Sequence, residues 1–424
     1  MEFSDVKYSQ YLQILREELL PAMGCTEPIA MAYAAARARQ TLGKMPDKID
    51  IVISGNIIKN VKSVVVPNTG GLKGIAAAVA AGTVVGDADR QLEVLSYVKP
   101  EEIPKIAEFM DKCQMTVIKS DSGKLLDIDL HMYSGTDSVR LRICDNHTNI
   151  VLIEKNGEVL FKKDSDDGES GETDRSVLNV RDILDFAQSV RLEDVSDMLG
   201  RQIEYNLAIS EEGLRGNYGA SIGKTLLETR GNDVRVRARA QAAAGSDARM
   251  SGCELPVVIV SGSGNQGMTA SLPVIVYALD IHADREQLLR ALVVSNLITI
   301  HQKTPIGRLS AFCGAVSAGC GAAAGVAWLL EGTYEAVSAT ITNTLGMISG
   351  TVCDGAKPSC ATKIASAVEA GLLGFDLYES GKALHGGDGI LKGDVEKTIE
   401  SVGQLAREGM RETDEEILDI MLDE

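Results

Sequence analysis

Apolar residues recur at helical spacing over residues 8–42, broken by Pro21-Ala-Met-Gly-Cys-Thr-Glu-Pro28, so this stretch predicts two helices with Cys25 just ahead of the second. Ile51 to Ser54 and Lys62 to Val66 carry strand-type residues, and Pro67-Asn-Thr-Gly-Gly-Leu-Lys-Gly74 then opens an alanine-rich helix. From Met115 to Lys162, short β-rich runs alternate with Asp, Asn and Gly turns: Thr116–Lys119, Leu125–Met132, Ser138–Ile143, Ile150–Glu154 and Val159–Lys162. That alternation predicts an antiparallel meander. After Val180 the pattern is helical, apart from a short buried strand at Leu255–Val260 that leads into Ser261-Gly-Ser-Gly-Asn-Gln-Gly267.

The fold class expected is therefore α+β: an amino-terminal α+β unit with antiparallel strands over 1–163, an acidic loop or linker over 164–175, and a helix-rich catalytic unit over 176–424. The stretch from Asp164 to Asp174 has no apolar side chain to pack, and as a charge run it is given no catalytic role.

Composition narrows the functional classes. Only 4% of the 424 residues are aromatic, while 42 are Gly and 45% are hydrophobic, which favours closely packed helices and glycine loops over an aromatic-filled sandwich. A net charge of -18 repels phosphate backbones and anionic lipid, so neither nucleic acid nor a membrane is expected as a partner. No apolar run reaches the roughly 18 residues that span a bilayer, and Met1-Glu-Phe-Ser-Asp-Val-Lys7 has no basic-then-apolar leader, so the cytoplasm is the expected location. A small amino-acid substrate is the expected partner, with assembly into a homo-oligomer left open. Eight cysteines in so long a chain do not make a disulfide framework and read as thiols or ligands.

Gly262-Ser-Gly-Asn-Gln-Gly267 fits G-x-G-x-x-G after a strand, but a nucleotide fold needs a second parallel strand ending in an acidic residue about 20 positions on. Met268–Ile281 contains Pro273 and runs into another helical pattern, which disfavours a nicotinamide-dependent dehydrogenase. Backbone amides at a helix start still form an anion site, so Ser263, Asn265, Gln266 and Gly267 are candidates for holding a substrate carboxylate. The same glycines also suit a plain tight turn, and both readings stand at this point. Asn68 could add a side-chain amide if the two glycine loops meet, and Lys303 or Lys357 could pair with the carboxylate.

Cys353 and Cys360 lie on a loop broken by Gly355 and Pro358 that could wrap around a centre, with Cys313 upstream as a third thiol. Cys313 and Cys320 are seven apart in a helical stretch, about 10.5 Å along the axis, too far for both to reach one compact cluster. Three thiolates and an open position would make a Lewis-acidic metal centre, although the spacing fits neither zinc pairs nor ferredoxins and buried thiols are the alternative. Cys113, Cys144 and Cys253 read as packing. At a helix amino terminus, which favours thiolate, Cys25 could be a base, a nucleophile, a fourth ligand or a half-buried capping-region cysteine. The five histidines lack zinc-hydrolase spacing, and His301 reads as a helix histidine.

Gly24-Cys-Thr-Glu-Pro28, Pro67-Asn-Thr-Gly-Gly71, Ser263-Gly-Asn-Gln-Gly267, Cys313-Gly-Ala and Val352-Cys-Asp-Gly-Ala-Lys357 together resemble the L-cysteine desulfidase family over nearly the whole chain. Through Cys313, Cys353 and Cys360 the carboxy-terminal half also resembles the α chain of iron-sulfur L-serine dehydratases. The resemblance implies a 4Fe-4S cluster on those three cysteines with one iron free for substrate. It implies Cys25 as proton acceptor, and conversion of L-cysteine to pyruvate, ammonia and hydrogen sulfide without pyridoxal phosphate. Some serine dehydratases end in a cluster-binding cysteine, whereas this chain ends Ile420-Met-Leu-Asp-Glu424, so ligation by a tail cysteine is not expected. Alternatives are an L-serine dehydratase with the same mechanism and a non-catalytic redox protein that binds a small carboxylate.

Overall fold

The computed structural model describes residues 1–2, 4–163, 173–307 and 309–422. Helix α1 (Val6–Glu18) is followed by strand β1 (Pro21–Met23) and helix α2 (Thr26–Leu42), the two helices expected around the proline break. Asp5 caps α1 by accepting from the Lys7 amide, and Gly43 ends α2 in the left-handed region at φ 83°. There follow β2 (Lys48–Ile53), α3 (Gly55–Val61), α4 (Gly74–Val85), α5 (Ile103–Lys112), β3 (Gln114–Lys119), β4 (Asp127–Ser134), β5 (Asp137–Cys144), β6 (Ile150–Lys155) and β7 (Glu158–Lys162).

The six-stranded sheet has the order β3-β2-β4-β5-β6-β7. Strands β4 to β7 are the antiparallel meander that the alternation predicts, whereas β3 pairs parallel with β2, reached through α3, α4 and α5. The expected strand at Lys62–Val66 does not form. Only Val65 bridges Lys73, because the chain leaves α3 and turns back at once into α4. Residues 164–172 of the acidic stretch lie outside the described residues.

The helical part comprises α6 (Val180–Ser189), α7 (Leu192–Arg215), α8 (Ile222–Arg230), α9 (Val234–Met250), strand β8 (Pro256–Val258), α10 (Gly264–Asp280), α11 (Arg285–Ile306), α12 (Gly314–Glu331), α13 (Tyr334–Ile348), α14 (Cys360–Glu379), α15 (Val395–Gln404) and α16 (Arg411–Leu422). Helix α12 packs against α10, α11, α13 and α14. Its glycines permit that approach: a Cβ at Gly319 would stand 2.7 Å from the Ala367 carbonyl carbon, and one at Gly325 2.9 Å from the Ala291 oxygen. Small side chains thus let the helix backbones close up, which is the structural counterpart of the low aromatic content. Contrary to the expectation that no apolar run is long enough, the 18 residues of α12 could cross a membrane by length and composition; here 72% of that stretch is buried.

Among the described residues two large hydrophobic cores result, with a small third cluster of Ala243, Ala361 and Ala365. One lies between the sheet and helices α2 to α5, and the other fills the helical part. The chain ends are exchanged between them, since Tyr8 to Ala22 packs in the helical core and Leu418 of α16 in the sheet core. Strand β1 pairs antiparallel with β8, which carries the segment before Cys25 across to the helical part.

Candidate active site

Cys25 is the residue ahead of α2 and is 4% exposed, as the helix-start reading requires. Its Sγ donates to Glu27 Oε2 at 3.1 Å, and Asn60 Nδ2 on α3 donates to Glu27 Oε1 at 3.0 Å. The thiol is not the low-lying one expected from a helix terminus. Burial, then the Glu27 carboxylate, push it well above the ordinary thiol range, against the Arg249 guanidinium and the Glu27 backbone amide. The helix start is therefore outweighed by desolvation and a like charge.

Arg249, near the end of α9, fastens this turn to the glycine loop. Its guanidinium donates to Gly24 O at 2.7 Å and to Asn265 Oδ1 at 3.2 Å, while the Thr26 hydroxyl donates to Gly262 O at 2.9 Å. The loop turns through Ser261 (φ 49°) and Gly262 (φ 76°), and Ser263 caps α10 by accepting from the Gln266 amide. Among the described residues strand β8 pairs only with β1 and antiparallel to it, so no parallel nucleotide-binding sheet is built there on this G-x-G-x-x-G.

The three cysteines of the sequence analysis meet through a short antiparallel bridge between Phe312 and Val352. The Cys313 amide donates to Thr351 O at 3.0 Å and the Cys353 amide to Ala311 O at 2.6 Å, which sets the two thiols side by side. Cys360 opens α14, where its Sγ accepts from the Lys357 amide at 3.4 Å. A hydrogen bond from Cys313, then Lys59, the Gly355 amide and Lys363, hold Cys353 below the ordinary thiol range. Donating that hydrogen bond, together with burial, raises Cys313, and burial raises Cys360.

Cys25, Cys313, Cys353, Cys360, Ser263, Asn265, Gln266 and Lys303 all line one cavity of about 750 Å³, counting its open mouth. Two sequence candidates lie elsewhere. Asn68 sits in a separate turn at φ 57° and donates to Leu95 O at 2.7 Å, so the glycine loops do not share it. Gly267 packs its backbone against Val258 O, where a Cβ would collide. Of the side residues weighed, His301 pairs with Glu396 at 2.6 Å, Lys357 donates to Ser63 Oγ at 2.9 Å, and Cys320 is buried inside α12.

The sequence reading missed Arg249, Lys59 and Asn60, which also line the cavity, and left Glu27 without a role. Their partners come from distant stretches, so no spacing marks them; only Glu27, two residues from Cys25, stood inside a motif already singled out. Gln266 Oε1 and Arg249 Nε are buried at the cavity wall without a hydrogen-bond partner among the described residues. Among those residues no three His, Cys, Asp or Glu side chains are placed to hold a metal ion. The donor set is nevertheless three soft sulfurs, with Lys59, Lys363 and a backbone amide offsetting thiolate charge. That chemistry suits a polynuclear cluster, whose ligands bind separate irons.

The match to a known family implies a lyase-like enzyme related to the serine dehydratases. Residues 89–419 match the serine dehydratase alpha chain family, and the chain belongs to that family. Among its relatives is a UPF0597 protein of Desulfitobacterium hafniense, 57% identical over 425 residues, covering 100% of this chain and 99% of the relative. UPF0597 proteins of Lachnoclostridium phytofermentans (51% over 417 residues, 98% and 100% covered) and Actinobacillus pleuropneumoniae (38% over 428 residues, 100% and 99% covered) are similar along their whole length. Cys25 and Glu27 precede the residues matched by the family.

Proposed function

We propose that this chain catalyses β-elimination of L-cysteine to pyruvate, ammonia and hydrogen sulfide, using a 4Fe-4S cluster held by Cys313, Cys353 and Cys360 and no pyridoxal phosphate. The observation that carries the reading is the convergence of these three thiols with Cys25 in one cavity, from separate stretches of chain. When bound, such a cluster would supply a Lewis-acidic iron free of protein thiolate, which draws charge from the leaving group.

The remaining work falls to the protein. The α10 amino terminus, with Ser263, Asn265 and Gln266 at the cavity wall, receives the substrate carboxylate, and Lys303 adds positive charge from α11. Cys25, as thiolate, takes the Cα proton. Elimination then yields aminoacrylate, which hydrolyses to pyruvate and ammonia. Because burial and Glu27 keep the thiol protonated at rest, Cys25 must first give its proton away.

A second reading, L-serine as substrate, is favoured by the family match, since a hydroxyl on the same carbon needs similar handling. Anaerobic reconstitution followed by turnover of both amino acids distinguishes them. Sulfide and pyruvate in equal amounts from cysteine are expected; pyruvate from serine alone would install the second reading. Cys25→Ala with its iron intact is expected to be inactive, and normal turnover would remove Cys25 from the mechanism.

A further inference from the structure

We propose that Glu27 accepts the Cys25 proton, making it a positioning residue that turns Cys25 into a base. This rests on the reading of Cys25 as the group that takes the Cα proton. The first observation is geometric: Cys25 Sγ stands 3.1 Å from Glu27 Oε2, on the first turn of α2, and both residues are buried. Asn60 fixes the other carboxylate oxygen from α3. The Thr26 hydroxyl is 3.1 Å from Glu27 Oε2 but has one hydrogen, and Gly262 O is nearer at 2.9 Å, so the thiol is the donor left to that oxygen.

The second observation is Arg249. It is 3% exposed, its two hydrogen bonds go to the neutral oxygens of Gly24 and Asn265, and its charge acts on Cys25. A buried cation beside a thiol and a carboxylate offsets the single negative charge they carry, whichever of the two holds the proton. Other charged or titratable groups lining the cavity are Lys59 from α3, Lys303 from α11 and the thiols of Cys313, Cys353 and Cys360, with Lys357 acting from the loop before α14. Glu27 is the anion in direct contact with Cys25.

The step balances. The Cys25 S–H bond breaks as a Glu27 O–H bond forms, leaving thiolate and carboxylic acid. The thiolate then forms an S–H bond with the Cα proton, the Cα–H electron pair becomes the Cα–Cβ double bond, and the leaving group departs with its own bonding pair. The two side chains now hold one proton more than at rest, and the hydrosulfide takes it.

The test reads Cys25 without turnover. Alkylation of cluster-free protein by iodoacetamide is followed against pH, with the Cys25 peptide quantified by mass spectrometry, in the wild type, Glu27→Gln and Arg249→Gln. Removing the carboxylate is expected to lower the Cys25 midpoint and to speed alkylation at pH 7.5 by about tenfold or more, whereas removing the guanidinium raises the midpoint. Loosening of the fold would move both variants the same way, towards a free thiol. In reconstituted enzyme, Glu27→Gln is expected to lose about a hundredfold or more in kcat with KM little changed. A Glu27→Gln profile that superimposes on wild type, or shifts with Arg249→Gln, overturns the proposal while an inactive Cys25→Ala preserves the base reading. Normal turnover by Cys25→Ala overturns both.

Discussion

Asp414→Ala tests how α16 is tied to the cavity. Lys59 is 2% exposed, and its ammonium pairs with Asp414 Oδ1, while Asn56 donates to Asp414 Oδ2 at 2.9 Å. Removing one partner of a buried ion pair costs about 3–5 kcal/mol, because the remaining charge is left in a low-dielectric place. The Asp414 side chain is 18% exposed, so water can enter the vacated volume and the loss falls near the lower end, about 3 kcal/mol. A chain of 424 residues unfolds with an entropy of about 0.9 kcal/mol per kelvin, so Tm should fall by about 3 °C. Asp414→Asn keeps an acceptor without the charge and should recover part of that loss. Differential scanning calorimetry at pH 7 on the three proteins decides the matter. A Tm for Asp414→Ala within about 1 °C of wild type would refute the reasoning and mean that Lys59 is satisfied by other groups.

Asp247, 1% exposed on α9, is pushed by burial up to about 6 from an ordinary 3.8, against the amides of Gly223 and Ile222. Its folded form favours the proton, so its stabilisation is complete below the unfolded value and is lost as pH rises through about 6. Between pH 5 and 8 the wild type should lose about 1.4 kcal/mol that Asp247→Asn does not, read from urea midpoints; parallel pH dependences would contradict this. Gly355 has φ 89° and its Cα faces Lys59 O, so Gly355→Ala should cost at least about 1–2 kcal/mol in backbone strain and displace the loop carrying Cys353. Unchanged thermal stability would contradict that. Cys320→Ala should cost about 1 kcal/mol and leave iron uptake intact, because that thiol is buried in α12 with Ile341 O beside it; iron loss would bring Cys320 into the cluster.

Much of the fold was legible where periodicity had room to run. The proline-broken helices α1 and α2 and the meander β4 to β7 lie close to where the spacing put them. Short segments misled: Val64-Val-Val66 looks like a strand because three β-branched residues satisfy the pattern, yet a run that brief says nothing of whether a neighbour stands ready to pair. The parallel placement of β3 beside β2 is likewise a matter of topology, invisible in the β3 residues themselves. At the site, Cys25 and the three-thiol set carried loop and helix-start signals. Arg249 did not, because its partner Gly24 lies 225 positions away, and Asn60 meets Glu27 across 33 positions. The state of Cys25 was also beyond reach, since the sequence offers the helix start but not the burial and facing carboxylate that outweigh it.

The central claim is most directly tested by reconstituting the protein with iron and sulfide under anaerobic conditions, then supplying L-cysteine and L-serine separately. The account predicts about four irons per chain with broad thiolate-to-iron absorption, and pyruvate and sulfide in equal amounts from cysteine. Cys313→Ala, Cys353→Ala and Cys360→Ala should each lose the iron and the activity together. Iron content unchanged in those three variants, or no pyruvate from either amino acid with the cluster in place, would contradict it.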